Sequence, residues 1–345
     1  MNTFAKKLIS TALAAAAFNA YADFKVDTSN GSISFGGYLK ADYRYVSGEV
    51  PYRPFWIATG NTGPDASQAE FGIRESRFNV TYKKDDVTGF LEMDFYGSDG
   101  SDAVVSNYEP RIRHALIKYK NWSFGQTWST FMPLAAIPES VDFGGPHVGL
   151  VFIRQAQVRY THGGLELALE NPKTTGASDA DDSIPDMVAR YTFKGDWGQV
   201  AVAGLVRRID SEGIDETATA GNVYGKFNLG KDDFRFQYNF GESGRYVAPG
   251  LTTDVVSDPV TGDELEKTKA YEVAYRHVWN GSLRSTVYYG SAESDVRDQT
   301  RNHWGVNLFK NLTPALTVGA EIGNYEVEDQ NADSNYLQLA VKYTF

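Results

Sequence analysis

The sequence predicts an all-β chain: a transmembrane antiparallel β-barrel of about 16 strands, with its third extracellular loop folded into the lumen. Three observations lead there. The last nine residues, Leu337 to Phe345, alternate apolar or aromatic with polar or small side chains and stop on an aromatic residue. The same period of two recurs in segment after segment. The connections alternate between short turns and long polar loops. A strand with one oily and one wet face can cross a bilayer only if its sheet closes and pairs every backbone group.

The chain opens on a segment with the form of a cleaved signal peptide, residues 1–22. Lys6 and Lys7 supply its basic start, Leu8 to Phe18 its apolar stretch, and Ala20-Tyr21-Ala22 a small-x-small cleavage site. The apolar stretch is shorter than the roughly 20 residues a helical span needs. Residues 23–345 then form one barrel domain, with no Pro- or Ser-rich linker and no charge block to divide it. No later run is apolar enough for a membrane helix, which excludes a helical membrane protein but not a barrel. The chain has no cysteine, so an exported protein of this kind has neither disulfides nor thiol chemistry. Its 21 Tyr and 6 Trp suit the lipid–water boundary, where one end of the ring is apolar and the other can hydrogen-bond.

The strands follow in order. Ile33, Phe35, Leu39, Ala41, Tyr43 and Tyr45 share one face of the first, and Ser34, Tyr38, Lys40, Asp42 and Arg44 the other. Phe78, Val80 and Tyr82 oppose Arg77, Asn79 and Thr81; Leu91, Met93 and Phe95 oppose Glu92 and Asp94. Leu165, Leu167 and Leu169 oppose Glu166 and Glu170, and Ala189, Tyr191 and Phe193 oppose Arg190 and Thr192. Val200, Val202 and Val206 oppose Gln199 and Arg207. Phe234, Phe236, Tyr238 and Phe240 oppose Arg235, Gln237 and Asn239. Tyr271, Val273 and Tyr275 oppose Glu272 and Arg276, and Leu283, Val287 and Tyr289 oppose Arg284, Thr286 and Tyr288. Leu316, Val318, Ala320 and Ile322 oppose Thr317 and Glu321. Period two sustained over so many segments specifies strands rather than helices.

Short turns are predicted near 83–87, 120–121, 162–164, 194–198, 230–233, 280–282 and 311–314. Longer loops are predicted near 47–70, 98–108, 132–150, 171–185, 208–220, 241–267, 291–300 and 325–334. Alternating the two kinds yields sixteen strands with both ends on the short-turn side, which in such barrels faces the periplasm. A barrel of about sixteen strands is too wide for side chains to fill, and an aqueous channel remains.

The third loop, Met132 to Gly149, is more apolar than the others and carries three prolines. An exposed tip has no use for Leu134, Ile137, Val141 and Phe143. A loop packed on the inner wall does, and Glu139 and Asp142 would then project acid into the lumen. Arginines crowd the surrounding strands: Arg74 and Arg77 in the second, Arg111 and Arg113 in the fourth, Arg154 and Arg159 in the sixth. Wall arginines facing loop acids would set up a transverse field that attracts charged solutes without holding them. Alternation places Arg77 and Arg159 inward. Arg74 and Arg154 are out of phase and need a bulge or a protein-covered outer face. Arg113 is not assigned by alternation. Bridging acids, a subunit interface and lipid headgroups are the plainer roles for any of these arginines.

The run Gly125-Gln126-Thr127-Trp128-Ser129-Thr130-Phe131-Met132, followed by Pro138-Glu139, Asp142-Phe143, Gly145-Pro146 and Arg154-Gln155-Ala156-Gln157-Val158-Arg159-Tyr160, resembles the DcaP-like family of Gram-negative outer-membrane porins. Phe35-Gly36-Gly37-Tyr38-Leu39-Lys40 and Arg74-Glu75-Ser76-Arg77-Phe78 fit as well. The resemblance implies a homotrimeric sixteen-stranded channel in the outer membrane, its third loop folded inward, with a preference for small anions such as dicarboxylates. It implies that the arginine positions of strands two, four and six, Arg74, Arg77, Arg113, Arg154 and Arg159 among them, line the constriction, to which the loop reading adds Glu139 and Asp142. Members can carry a coiled coil ahead of the barrel; the ten or so residues between Asp23 and the first strand are too few for heptads.

The expected function is passive diffusion of small hydrophilic solutes, probed against two alternatives. An oligosaccharide channel would use Trp128 or Phe143 as a track for sugar rings. A barrel enzyme would need a nucleophile and base, yet the five histidines are scattered, and His114 is the place to look. The sequence offers no catalytic constellation, metal motif, cofactor motif or nucleic-acid motif. Its expected partners are polar or anionic solutes, membrane lipid and lipopolysaccharide. The acidic loop clusters suit solvated tips, or divalent cations that bridge lipopolysaccharide phosphates. Net acidity does not decide selectivity, which depends on charge at the narrowest point.

Overall fold

The computed structural model describes residues 24–51, 62–98, 107–142, 147–211, 213–247, 253–258 and 262–345. The expected signal segment, Phe143, and parts of the first and second long loops lie outside them. The strands are β1 (Phe24–Thr28), β2 (Gly31–Gly48), β3 (Ala66–Gly72), β4 (Arg77–Lys84), β5 (Val87–Asp94), β6 (Arg111–Tyr119), β7 (Trp122–Trp128), β8 (Arg154–His162), β9 (Leu165–Glu170) and β10 (Asp186–Gly195). They continue with β11 (Gly198–Ser211), β12 (Ile214–Leu229), β13 (Asp232–Gly241), β14 (Val255–Asp258), β15 (Gly262–Leu265), β16 (Thr268–Asn280), β17 (Leu283–Ser294), β18 (Gln299–Asn311), β19 (Leu316–Val327) and β20 (Ala332–Thr344).

Every wall pairing is antiparallel, and β20 returns to pair with β2 from Tyr38↔Thr344 to Gly48↔Ser334. Gly37 and Phe345 exchange both backbone hydrogen bonds at 3.1 Å, so the terminal residue seals the ring. The wall counts sixteen strands because β3 and β4 are two halves of one: both pair with β2, across a break at residues 73–76. Outside that count, β1 folds back on the start of β2, and β14–β15 form a separate hairpin in the sixth long loop.

Alternation sorts the side chains. Phe35, Leu39, Leu167, Val202, Tyr238, Val287, Ile322 and Val341 are exposed on the outer face. Gln155, Gln157, Asn222, Gln237, Asn239, Asn307 and Gln338 are buried on the inner one. Bilayer lipid covers the first set, and the second set finds hydrogen-bond partners within the barrel.

The structure corrects three of the predicted loops. Residues 208–220 are almost entirely strand, because β11 and β12 extend as one long hairpin whose register runs to Ser211↔Ile214. The stretch is mostly polar, but its few apolar side chains, Ile209, Ile214 and Ala218, pack with Val255 beyond the wall. Residues 291–300 and 325–334 likewise shrink to brief turns, because cross-strand pairing outcompetes the polar composition there.

Candidate functional site

The third loop enters after β7 and sweeps along the inner wall. Thr130 N–H donates to Glu170 of β9 (2.7 Å), and Asn222 of β12 donates to the Phe131 carbonyl (3.1 Å). Arg235 of β13 donates to the Ile137 carbonyl. Val141 N–H donates to Glu321 of β19 (2.8 Å), while Lys40 of β2 donates to the Val141 carbonyl (2.7 Å). The returning limb is held by Gln237, which bonds Gly149 and Val151. Apolar side chains on the loop explain its affinity for the wall: Phe131, Met132, Ala136, Val141, Leu150 and Val151 are fully buried. The loop's partners run from β9 round to β2.

The loop acids do not face the arginines of β4, β6 and β8, contrary to the expected arrangement. Glu139 is held by a two-bond fork from Arg284 of β17 (2.7 and 2.5 Å), and Asp142 pairs with Arg44 of β2 (2.6 Å). Both are neutralised by the wall behind the loop. The reason is reach: by residue 139 the loop has already crossed to the far wall.

Three of the expected arginines gather on the other side. β6 carries an extra residue opposite the Glu92–Met93 step, and that residue is Arg113. The bulge is why alternation does not place it. Arg113 is buried and paired with Glu92 (2.8 Å) and Asp94 (2.9 Å); Arg111 shares Asp94 at 2.7 Å. Arg154, the first residue of β8, lies over the Trp128 ring at 4.3 Å, and Arg113 approaches the same ring at 5.8 Å. Arg77 lies over Tyr38 at 5.2 Å. Arg77, Arg113 and Arg154 are close enough to repel one another. Among the described residues Arg154 has no carboxylate partner, and its Nη1 is buried without a hydrogen bond. This wall thus sets four guanidiniums, those of Arg77, Arg111, Arg113 and Arg154, against the carboxylates of Glu92 and Asp94, with Glu75 also close to Arg77.

The remaining two arginines belong elsewhere. Arg74 sits in the break between β3 and β4, which resets the phase. It pairs with Glu70 (3.0 Å) and stacks on Tyr96 and Tyr108, beside a narrow crevice that includes Asp42, Glu75 and Asp142. Arg159 bonds Gln157 (3.0 Å) and Glu166 (3.4 Å); Glu166 also holds Arg190. Sequence reasoning did not select Arg44, Arg284 or Tyr38 for the site, and it named Trp128 only as a track for sugar rings. The inward phase of Arg44, Arg284 and Tyr38 was already visible in the alternation.

One more loop reaches in. Tyr246, in a short 3-10 turn of the sixth loop, is fully buried. Its hydroxyl donates to Asp186 (2.8 Å) and accepts from Gln155 (2.6 Å), and its ring meets Phe131 of the third loop edge-on. Burial pushes the Tyr246 phenol well above its ordinary pKa, so it remains a donor.

A family model described as DcaP outer membrane protein matches residues 65–315. The chain belongs to the DcaP outer membrane protein family. This family member is an outer-membrane protein with a porin-type barrel. It superposes on the outer membrane channel DcaP of Acinetobacter baumannii with a TM-score of 0.80 and 22% identity, over 92% of this chain and 99% of that one. An anion-selective porin from Comamonas acidovorans matches with a TM-score of 0.62 and 13% identity, over 91% and 100%. OmpT of Vibrio cholerae matches with 0.59 and 14%, over 93% and 100%. At these identities the likeness is one of fold. No curated protein sequence matches the DcaP-family chain.

Proposed function

We propose that this chain is a passive, water-filled diffusion channel of the outer membrane that favours small anions of the dicarboxylate kind. The third loop narrows the lumen, and Arg77, Arg113 and Arg154 form the wall that faces it. Arg74 and Arg159 support the flanks, with Glu139 and Asp142 neutralised behind. The observation that carries the reading is Arg154: a guanidinium over Trp128 with no ion-pair partner among the described residues. Forks of this kind match carboxylate geometry, and an uncompensated charge in a narrow water-filled gap concentrates anions. The similar porin from Comamonas acidovorans is anion-selective, in keeping with this reading.

No cofactor or catalytic group takes part. His114 is buried and bonds Thr127 (3.0 Å) rather than a serine, which disfavours a hydrolase. Trp128 is stacked against arginine, which disfavours a sugar track. The chain works as a homotrimer among lipid and lipopolysaccharide after loss of residues 1–22.

Reversal potentials in planar bilayers under a potassium chloride gradient test the proposal. The native channel should prefer chloride, and Arg154→Ala should cut that preference. A native channel that prefers potassium, with selectivity unmoved by Arg77→Ala and Arg154→Ala together, would overturn it.

A further inference from the structure

A second cationic group sits at the other end of the lumen and on the opposite wall. Asp233, the second residue of β13, is buried and shared by three cations. Arg235 binds it at 2.6 Å, Arg276 of β16 at 2.9 Å and Lys226 of β12 at 3.5 Å. The register builds the group: Lys226 pairs across strands with Arg235, and Asp233 with Arg276. Three positive charges on one carboxylate leave a surplus of two.

That surplus faces water. The side chains of Lys226 and Arg276 are 32% and 29% exposed, whereas Asp233 beneath them is 2% exposed. The Nε of Arg276 is buried and has no hydrogen-bond partner among the described residues. Glu272, on the same face of β16, is buried and near enough to feel Arg235, but it bonds none of the three, and neither of its oxygens has a hydrogen-bond partner among the described residues. The group lies beside the short turn at 230–231, so it belongs to the periplasmic mouth. Arg235 also holds the Ile137 carbonyl of the third loop, which places the group against the inner side of the constriction.

We propose that Lys226, Arg235 and Arg276 form a second anion site, at the periplasmic mouth, that takes the carboxylate or phosphate group of a solute leaving the constriction. Two guanidiniums and an ammonium on a single acid retain donors for such a group. Its exposure keeps binding weak, and weak serial sites permit throughput. The proposal rests on the anion-channel reading above and adds a step to it.

Succinate block of single-channel chloride current, applied separately from each side, tests the site. In the native protein succinate should block from both sides. Lys226→Gln with Arg276→Gln should abolish block from the periplasmic side and leave block from the loop side. Chloride preference should fall roughly twofold, as expected for losing two partly screened charges. Lys226→Glu, which leaves the arginines on Asp233, should act in the same direction and guards against a folding artefact. A native channel that prefers cations sinks the channel reading itself. An anion-preferring native channel whose periplasmic block is unchanged in both variants sinks this site alone.

Discussion

Arg113 and Arg154 carry the same charge near the same tryptophan, yet their removal should have different consequences. Arg113 compensates Glu92 and Asp94 in a dry position. Arg113→Ala leaves Glu92 without its arginine, while Asp94 keeps Arg111, and should cost about 3 kcal/mol. The check is a lower unfolding temperature in detergent. Arg154 forms no ion pair among the described residues, so Arg154→Ala should lose chiefly its stacking on Trp128, about 1 kcal/mol, and show its effect in selectivity. Tyr246→Phe keeps the ring against Phe131 but leaves Gln155 and Asp186 short of a partner. It should lower stability by about 1–3 kcal/mol, read by the same melt. At this scale the sequence showed which residue types were present and, for Arg77 and Arg159, which face they took. It did not show pairing: Arg159 faces inward as alternation requires, yet it is committed to Gln157 and Glu166.

Among the elements, the third loop shows how close backbone approach seats a segment on a wall. A Cβ on Gly149 would fall 2.1 Å from the Tyr271 carbonyl oxygen and 2.9 Å from the Gly290 Cα. Both are backbone atoms of paired strands and cannot step aside. Gly149→Ala should therefore lift the returning limb from β16 and β17, and recordings should show a noisier channel of altered mean conductance. A native-like trace would mean that the limb plays no part in the constriction. The apolar content of residues 132–150 revealed that this loop needed a wall. Which wall was hidden, because the answer depends on how far the chain reaches across the lumen. Strand positions were legible from period two, and strand ends less so: the β11–β12 hairpin continues through a polar stretch because its neighbours supply a small apolar core.

For the whole molecule, closure is the decisive event. Phe345 exchanges two backbone bonds with Gly37, and its ring meets Phe78 at 5.7 Å. Deleting Phe345 should weaken the seam by about 1–3 kcal/mol and reduce the fraction of protein that runs as a compact band before heating. The outer face bears exposed Phe, Leu, Val and Tyr side chains around the ring, so extraction should require detergent. Recovery of monodisperse protein in plain buffer would contradict the barrel.

The sequence by itself determined the class, the strand count and the inside and outside of the wall. These rest on local alternation, and each residue reports its own face. Tertiary structure alone decided where charge stands uncompensated. Among the described residues Arg154 has no ion-pair partner and Asp233 holds three cations, because distant strands and a crossing loop bring those groups to one place or keep them apart. Coulomb interactions depend on separation in space, which linear spacing along a closed sheet does not record.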